Sequence, residues 1–113
     1  MEIYFAGTGT SHGIPVIGCD CAVCRSKDPK DTRSRSSVFI TGSDGTSIVI
    51  DAGPDFRFQA LKRNLCRLDA LLLTHSHADH VHGIDDLRVF AHTKAQDKSG
   101  RKGALLDTKR AGE

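Results

Sequence analysis

Residues 74–80 read Thr-His-Ser-His-Ala-Asp-His and follow directly on the apolar run Leu71-Leu72-Leu73. Three imidazoles and a carboxylate thus fall within six positions, His75 to His80, at the end of a strand-like segment. Neutral imidazole and carboxylate are ligands for zinc and similar first-row metals. In an extended chain His75 and His77 point the same way, because side chains alternate with period two. They can hold one ion together. Asp79 and His80 follow after a bend and can face a second ion, and a pair of ions roughly 3.5–4 Å apart suits hydrolysis. Asp79 is therefore both a ligand and the residue expected to act in catalysis.

The histidine stretch needs a scaffold, and the chain around it supplies one. Residues 2–6 form a first strand that stops at Gly7-Thr8-Gly9-Thr10. This is not a dinucleotide fingerprint, because position 12 is His12 and no helical pattern follows. His12 either approaches the site or is a plain loop histidine. Residues 14–36 are irregular, broken by Pro15, Gly18 and Pro29. Residues 37–41 and 46–51 read as a hairpin around Gly42-Ser43-Asp44-Gly45. Asp55 is placed to cap a helix over residues 56–65 that buries Phe56, Ala60, Leu61 and Leu65, with Cys66 as a small buried hydrophobe at its end. Residues 68–73 form the strand that delivers the histidines, and its continuous apolar run predicts cover on both faces. A helix over 81–91 buries Val81, Ile84, Leu87 and Phe90 and leaves Asp85, Asp86 and Arg88 in solvent.

Composition bounds the class. The chain has 113 residues, 27% charged and 38% hydrophobic, which suits one small soluble domain. A net charge of +2 argues against nucleic-acid and membrane partners. No apolar run approaches a membrane span, and the N-terminus lacks a secretory pattern, so the cytoplasm is the expected location. The excess positive charge sits in residues 93–113, which carry six basic and three acidic residues and read as loop, linker or disordered end.

A second constellation is Cys19, Cys21 and Cys24, three thiols within six residues. With a fourth ligand such a knuckle holds a tetrahedral zinc and pins a loop poor in apolar residues. A redox pair at Cys21 and Cys24, or reduced cysteines with no role, are the alternatives.

The order Gly7-Thr8-Gly9-Thr10-Ser11, the cysteine knuckle, Asp51-Ala52-Gly53-Pro54, the motif His75-Ser76-His77-Ala78-Asp79-His80 and Gly83-Ile84-Asp85-Asp86-Leu87-Arg88 resembles the metallo-β-lactamase-fold hydrolases. It is most similar to the branch that includes the phosphoribosyl cyclic-phosphate phosphodiesterase of the carbon–phosphorus lyase pathway. The resemblance covers residues 1 to about 92. It implies an α/β fold, the N-terminal half of an αββα sandwich with mainly antiparallel strands. It implies two zinc or manganese ions at His75, His77, Asp79 and His80, one structural zinc at the cysteines, and a small phosphodiester substrate. Asp51 then either supports the ligands by accepting an imidazole N–H or is a simple strand-ending turn residue. His82, Arg33 and Arg35 are candidates for substrate contacts or ordinary structural and solvated side chains.

The family's later ligands are not matched. No histidine follows His92, and Asp97 and Asp107 lie in the tail without a motif. The chain is therefore expected to be an incomplete sandwich with little activity alone, one bare sheet face and a tendency to pair with another copy. A zinc-binding fragment without turnover, a nucleic-acid phosphodiesterase or a thioester hydrolase are the alternative readings.

Overall fold

Alternation along the strands decides which face of the sheet is buried. Tyr4, Phe39, Val49 and Leu71 point to one side, where Phe39 is 2% exposed and Val49 and Leu71 are fully buried. A computed structural model describes residues 1–92. The readings made for residues 93–113, Asp97 and Asp107 among them, lie outside the described residues.

Four strands form one mixed sheet in the order β1 (Glu2–Gly7), β2 (Ser37–Thr41), β3 (Ser47–Ile50) and β4 (Ala70–Leu72). The first two pairings are antiparallel, and β4 lies parallel to β3 with Val49 opposite Leu71. The predicted hairpin is present as β2–β3, and Gly45 takes φ 90° in its turn, a conformation glycine adopts without steric cost. Parallel pairing of β3 and β4 needs a crossover, which α1 (Phe56–Arg63) supplies.

The helices lie on the Phe39 side, and Phe56 of α1 packs edge-on against the Phe39 ring at 6.1 Å. Leu68, Leu87 and Phe90 complete this core. The other face carries Ile3, Phe5, Val38, Ile40, Ile48, Ile50 and Leu72, brought side by side by the register. Ile3, Phe5 and Leu72 are 52%, 68% and 47% exposed. Cover on both faces of β4 was therefore a wrong expectation: Leu71 is enclosed, but Leu72 faces out.

Other local readings are corrected too. The helix expected over 81–91 is three short pieces: α2 (Ala78–Val81), a 3₁₀ segment (Ile84–Arg88) and α3 (Val89–His92). The break falls at Gly83, whose N–H donates to Ala52 O at 2.8 Å. A Cβ there would stand 1.9 Å from Gly53 O. The apolar positions 84, 87 and 90 recur every three residues, the period of a 3₁₀ turn rather than 3.6. In α1 the buried positions are Phe56 and Gln59, while Leu61 is 60% exposed. Asp55 makes no side-chain cap; its carboxylate instead accepts the Arg35 N–H at 2.9 Å and pairs with Arg35 Nη1 at 3.0 Å. Cys66 is exposed, beyond the left-handed Asn64 that ends the helix.

Two outcomes test this packing. Gly83→Ala should cost about 3 kcal/mol in urea denaturation, since an added methyl in a closed backbone contact forces the segments apart. The bare apolar face should draw copies together, giving concentration-dependent sedimentation that Phe5→Lys relieves. A wild-type chain that stays a compact monomer at every concentration would contradict the second.

Candidate active site

Asp51 is the residue on which the site is built. It follows β3 with φ 64°, a left-handed conformation uncommon for a non-glycine residue and frequent at functional positions. It is 4% exposed. Backbone bonds hold it on both sides: its N–H donates to Leu72 O at 2.9 Å, and its C=O accepts the Ser37 hydroxyl at 2.8 Å. The carboxylate then faces the histidine bend. One oxygen accepts the Thr74 N–H at 2.8 Å. The other accepts the Thr74 hydroxyl at 2.7 Å and meets His80 Nδ1 at 2.6 Å.

Those bonds set the tautomers. The Thr74 hydroxyl has one proton, and a carboxylate only accepts, so that proton goes to Asp51. The hydroxyl can then only accept from His75 Nδ1, 2.9 Å away. His80 Nδ1 likewise donates to Asp51. Both rings thus turn an Nε2 lone pair outward, the arrangement of ligating imidazoles whose other N–H is held by a carboxylate or hydroxyl.

The rings are gathered. His75 and His77, past the end of β4, have centroids 4.6 Å apart, and His75 and His80 are 4.0 Å apart. Asp79 and His80 lie on the first turn of α2, which begins inside the motif at Ala78. His80 Nε2 and Asp79 Oδ2 approach to 2.9 Å. Two lone-pair donors that close require positive charge in contact with both, a proton on Nε2 or a metal ion. A proton on Nε2 makes the pair a hydrogen-bonded ion pair. A divalent metal in its place would need the other donors to close on it, since no three ligand atoms of His75, His77, Asp79 and His80 lie within 4.8 Å of one another.

Close backbone contact fixes the bend against the Asp51 loop. Ala52 N–H donates to His80 O at 2.9 Å, and a Cβ on Gly53 would stand 2.0 Å from Asp79 O. Sequence reasoning met Gly53 and Gly83 within the family pattern and gave the Thr74 and Ser37 hydroxyls no part. The one signal that pointed to this contact was the recurrence of glycine just after Asp51 and just after His80.

Burial raises the Asp51 pKa, but the Thr74 N–H, the Thr74 hydroxyl and His80 outweigh it, so the net shift is downward. The carboxylate stays ionised where it is needed.

The three cysteine sulfurs lie within 4.8 Å of one another, and among the described residues they are the set of three donors gathered that closely. Cys24 Sγ accepts the Val16 N–H at 3.4 Å, and Cys21 Sγ accepts the Cys24 N–H at 3.5 Å. The Cys24 amide, with the neighbouring thiols, lowers Cys21 to about 7. At Cys24 the Val16 amide lowers the pKa, but Cys19, burial and Cys21 outweigh it and the net shift is upward. No residue from 14 to 30 is buried, so the loop has no core of its own.

The remaining candidates have other duties or lie at the surface. Arg35 donates to Ser11 O and pairs with Asp55, and Arg33 donates to Thr8 Oγ1 and Lys30 O. The structural reading of both arginines holds. His12 and His82 are exposed.

Residues 31–92 match the metallo-beta-lactamase superfamily, and the chain belongs to that family. Among solved structures it is similar to a diphosphatase of the PhnP family, with 44% identity and a TM-score of 0.80 over 96% of this chain and 43% of that one. Zn(2+)-bound PqqB from Methylobacterium extorquens matches at 26% identity and TM-score 0.68, over 78% of this chain and 34% of that one. A protein of Porphyromonas gingivalis called octanoyltransferase is 53% identical over 88 residues, 78% of this chain and 18% of that protein. The chain thus spans less than half the length of each of these relatives, and the layering described above is part of the family's fold. Among the described residues no helix is long and apolar enough to cross a membrane.

Asp51→Asn should weaken zinc binding about 10–100-fold in a competition titration, because His80 loses its charged acceptor. Stability contributed by Asp51 is present above the ordinary carboxylate pKa and lost as pH falls through the lowered folded value. Wild-type stability should therefore fall on acidification, and the Asp51→Asn variant should lack that component.

Proposed function

We propose that this site belongs to a hydrolase that cleaves a small phosphodiester with two zinc or manganese ions, and that the cysteine turn holds a third, structural zinc. The observation that carries the reading is the convergence of the His75, His77 and His80 rings, with centroids 4.6 and 4.0 Å apart, beside Asp79 in a chain of the metallo-beta-lactamase superfamily. His75 and His77 would hold one ion, and Asp79 and His80 the other. When bound, the ions supply water of lowered pKa and neutralise charge on the phosphate. Asp51 and Thr74 keep the imidazole tautomers that make His75 and His80 ligands. Asp79, 18% exposed at its side chain, would also accept a proton from the attacking water. The similarity to a PhnP-family diphosphatase supports phosphorus chemistry.

Cys19, Cys21 and Cys24 fit zinc through their spacing, with Cys21 lowered to about 7. Free thiols suit the cytoplasm. Pairing of two copies would cover the bare sheet face. Activity of residues 1–113 alone is expected to be low, since their ligands come from one short segment.

A second reading, hydrolysis of a thioester, is favoured by the name of the P. gingivalis relative, although the match spans 18% of that protein. One assay separates the two. With zinc or manganese supplied, bis(p-nitrophenyl) phosphate should be hydrolysed and an octanoyl thioester should not. His77→Ala should lower the rate about a hundredfold and chelator should abolish it. Metal content per chain is the parallel measurement. Turnover and metal content both unchanged in His77→Ala would overturn the site.

A further inference from the structure

The tip of the loop between β1 and β2 is chemically unlike the rest of the molecule. Residues 14–30 contain no buried side chain, and Ile17 is 98% exposed. The loop's root is tied by backbone bonds: Gly9 N–H to Ser34 O at 2.7 Å, and Ile14 and Arg33 to each other at 2.8 Å both ways. Beyond those ties, Cys24 Sγ accepts Val16 N–H and folds the tip back on itself. Cys19 and Cys21 are exposed and Cys24 is half-buried. Any two of these sulfurs lie within 4.8 Å, so reaching an S–S bond of about 2.05 Å requires them to close by no more than about 3 Å.

We propose that the Cys19–Cys21–Cys24 turn is a peroxide-oxidised modification site, closing a disulfide between Cys21 and Cys24 and leaving Cys19 free. Among the three possible pairs, Cys21 and Cys24 are the two joined by an amide-to-sulfur bond across one turn. Cys21 is open to solvent, and its sulfur is held by the Cys24 amide at 3.5 Å, so attacking and resolving sulfurs share one turn. Arg25 N–H donates to Cys21 O at 3.0 Å and keeps that turn closed. Cys66, exposed just past the end of α1, bonds to Asn64 O and belongs to no group of three donors among the described residues. It is the built-in control.

The chemistry balances. The Cys21 thiolate attacks one peroxide oxygen, breaks the O–O bond and becomes a sulfenic acid, releasing hydroxide. The Cys24 thiol then displaces that hydroxyl from sulfur as water, forming the S–S bond. Two thiols lose two electrons in total, and one hydrogen peroxide is reduced to two waters. The step does not depend on the proposed zinc. If zinc sits there, oxidation must expel it, because two of the three thiolates are consumed.

All three loop cysteines fall on one tryptic peptide, residues 1–25, and Cys66 on another, residues 64–67. The whole 113-residue chain, reduced and stripped of metal, is treated with one equivalent of hydrogen peroxide and its thiols are counted and mapped. Peptide 1–25 should become lighter by two hydrogens, about tenfold faster than Cys66 is modified. Dithiothreitol should restore it. Cys19→Ser should leave the two-hydrogen loss in peptide 1–25 intact. Cys24→Ser and Cys21→Ser should each stop formation of the Cys21–Cys24 disulfide, and Cys66→Ser should leave the reaction unchanged. Loss of the disulfide in Cys19→Ser would overturn the assigned pair. In a zinc-loaded sample a chromogenic chelator should register zinc release in step with thiol loss. If peptide 1–25 keeps three free thiols, or Cys66 is consumed as fast, the proposal falls. Failure of the phosphodiesterase assay would leave this result untouched.

Discussion

A buried carboxylate holds this structure together at the point where its chemistry would occur. Asp51 accepts from the Thr74 amide, the Thr74 hydroxyl and the His80 imidazole, and its own backbone is tied to Leu72 and Ser37. An ionised carboxylate at 4% exposure is costly unless its lone pairs are filled, and here they are. The same bonds that satisfy the charge decide which nitrogen of His75 and His80 carries a proton. Stability and ligand geometry are thus two results of one set of contacts.

The rest of the fold keeps Asp51 in reach of the bend. Pairing of β3 with β4 sets the two strand ends side by side, and α1 fills the crossover with Phe56 against Phe39. Beyond the strands, Gly53 and Gly83 let two backbone segments approach more closely than any side chain would permit. That contact also explains why the following helix is broken. Its chain must turn at Gly83 to bond Ala52, and it resumes as a 3₁₀ segment.

Among the described residues the sheet is covered on one side and partly exposed on the other. The Phe39 face has its helices, while Ile3, Phe5 and Leu72 line the opposite side. The chain spans 43% of a solved PhnP-family diphosphatase. The loop carrying the cysteines stands apart, fastened at its root by backbone bonds and at its tip only by its own turn. Metal binding and oxidation would compete for the same sulfurs there.

Much of this was legible in the chain itself. Alternation gave the hairpin, because a strand's period depends on nothing but its backbone; His75 and His77 lie past the end of β4, and their rings meet within the bend. Donor types and their spacing marked out His75, His77, Asp79 and His80 as a candidate ligand group and Cys19, Cys21 and Cys24 as a turn of gathered thiols. The readings that failed were those requiring knowledge of what lies across space. Asp55 looked like a cap until Arg35 claimed it, Leu61 looked buried until α1 settled on Phe56 and Gln59, and Cys66 looked enclosed until the helix ended in solvent. Asp51 itself could be read as either a support or a turn. Only the tertiary structure decided, since a residue 23 positions from Thr74 and 29 from His80 meets them through hydrogen bonds whose geometry the linear spacing does not record.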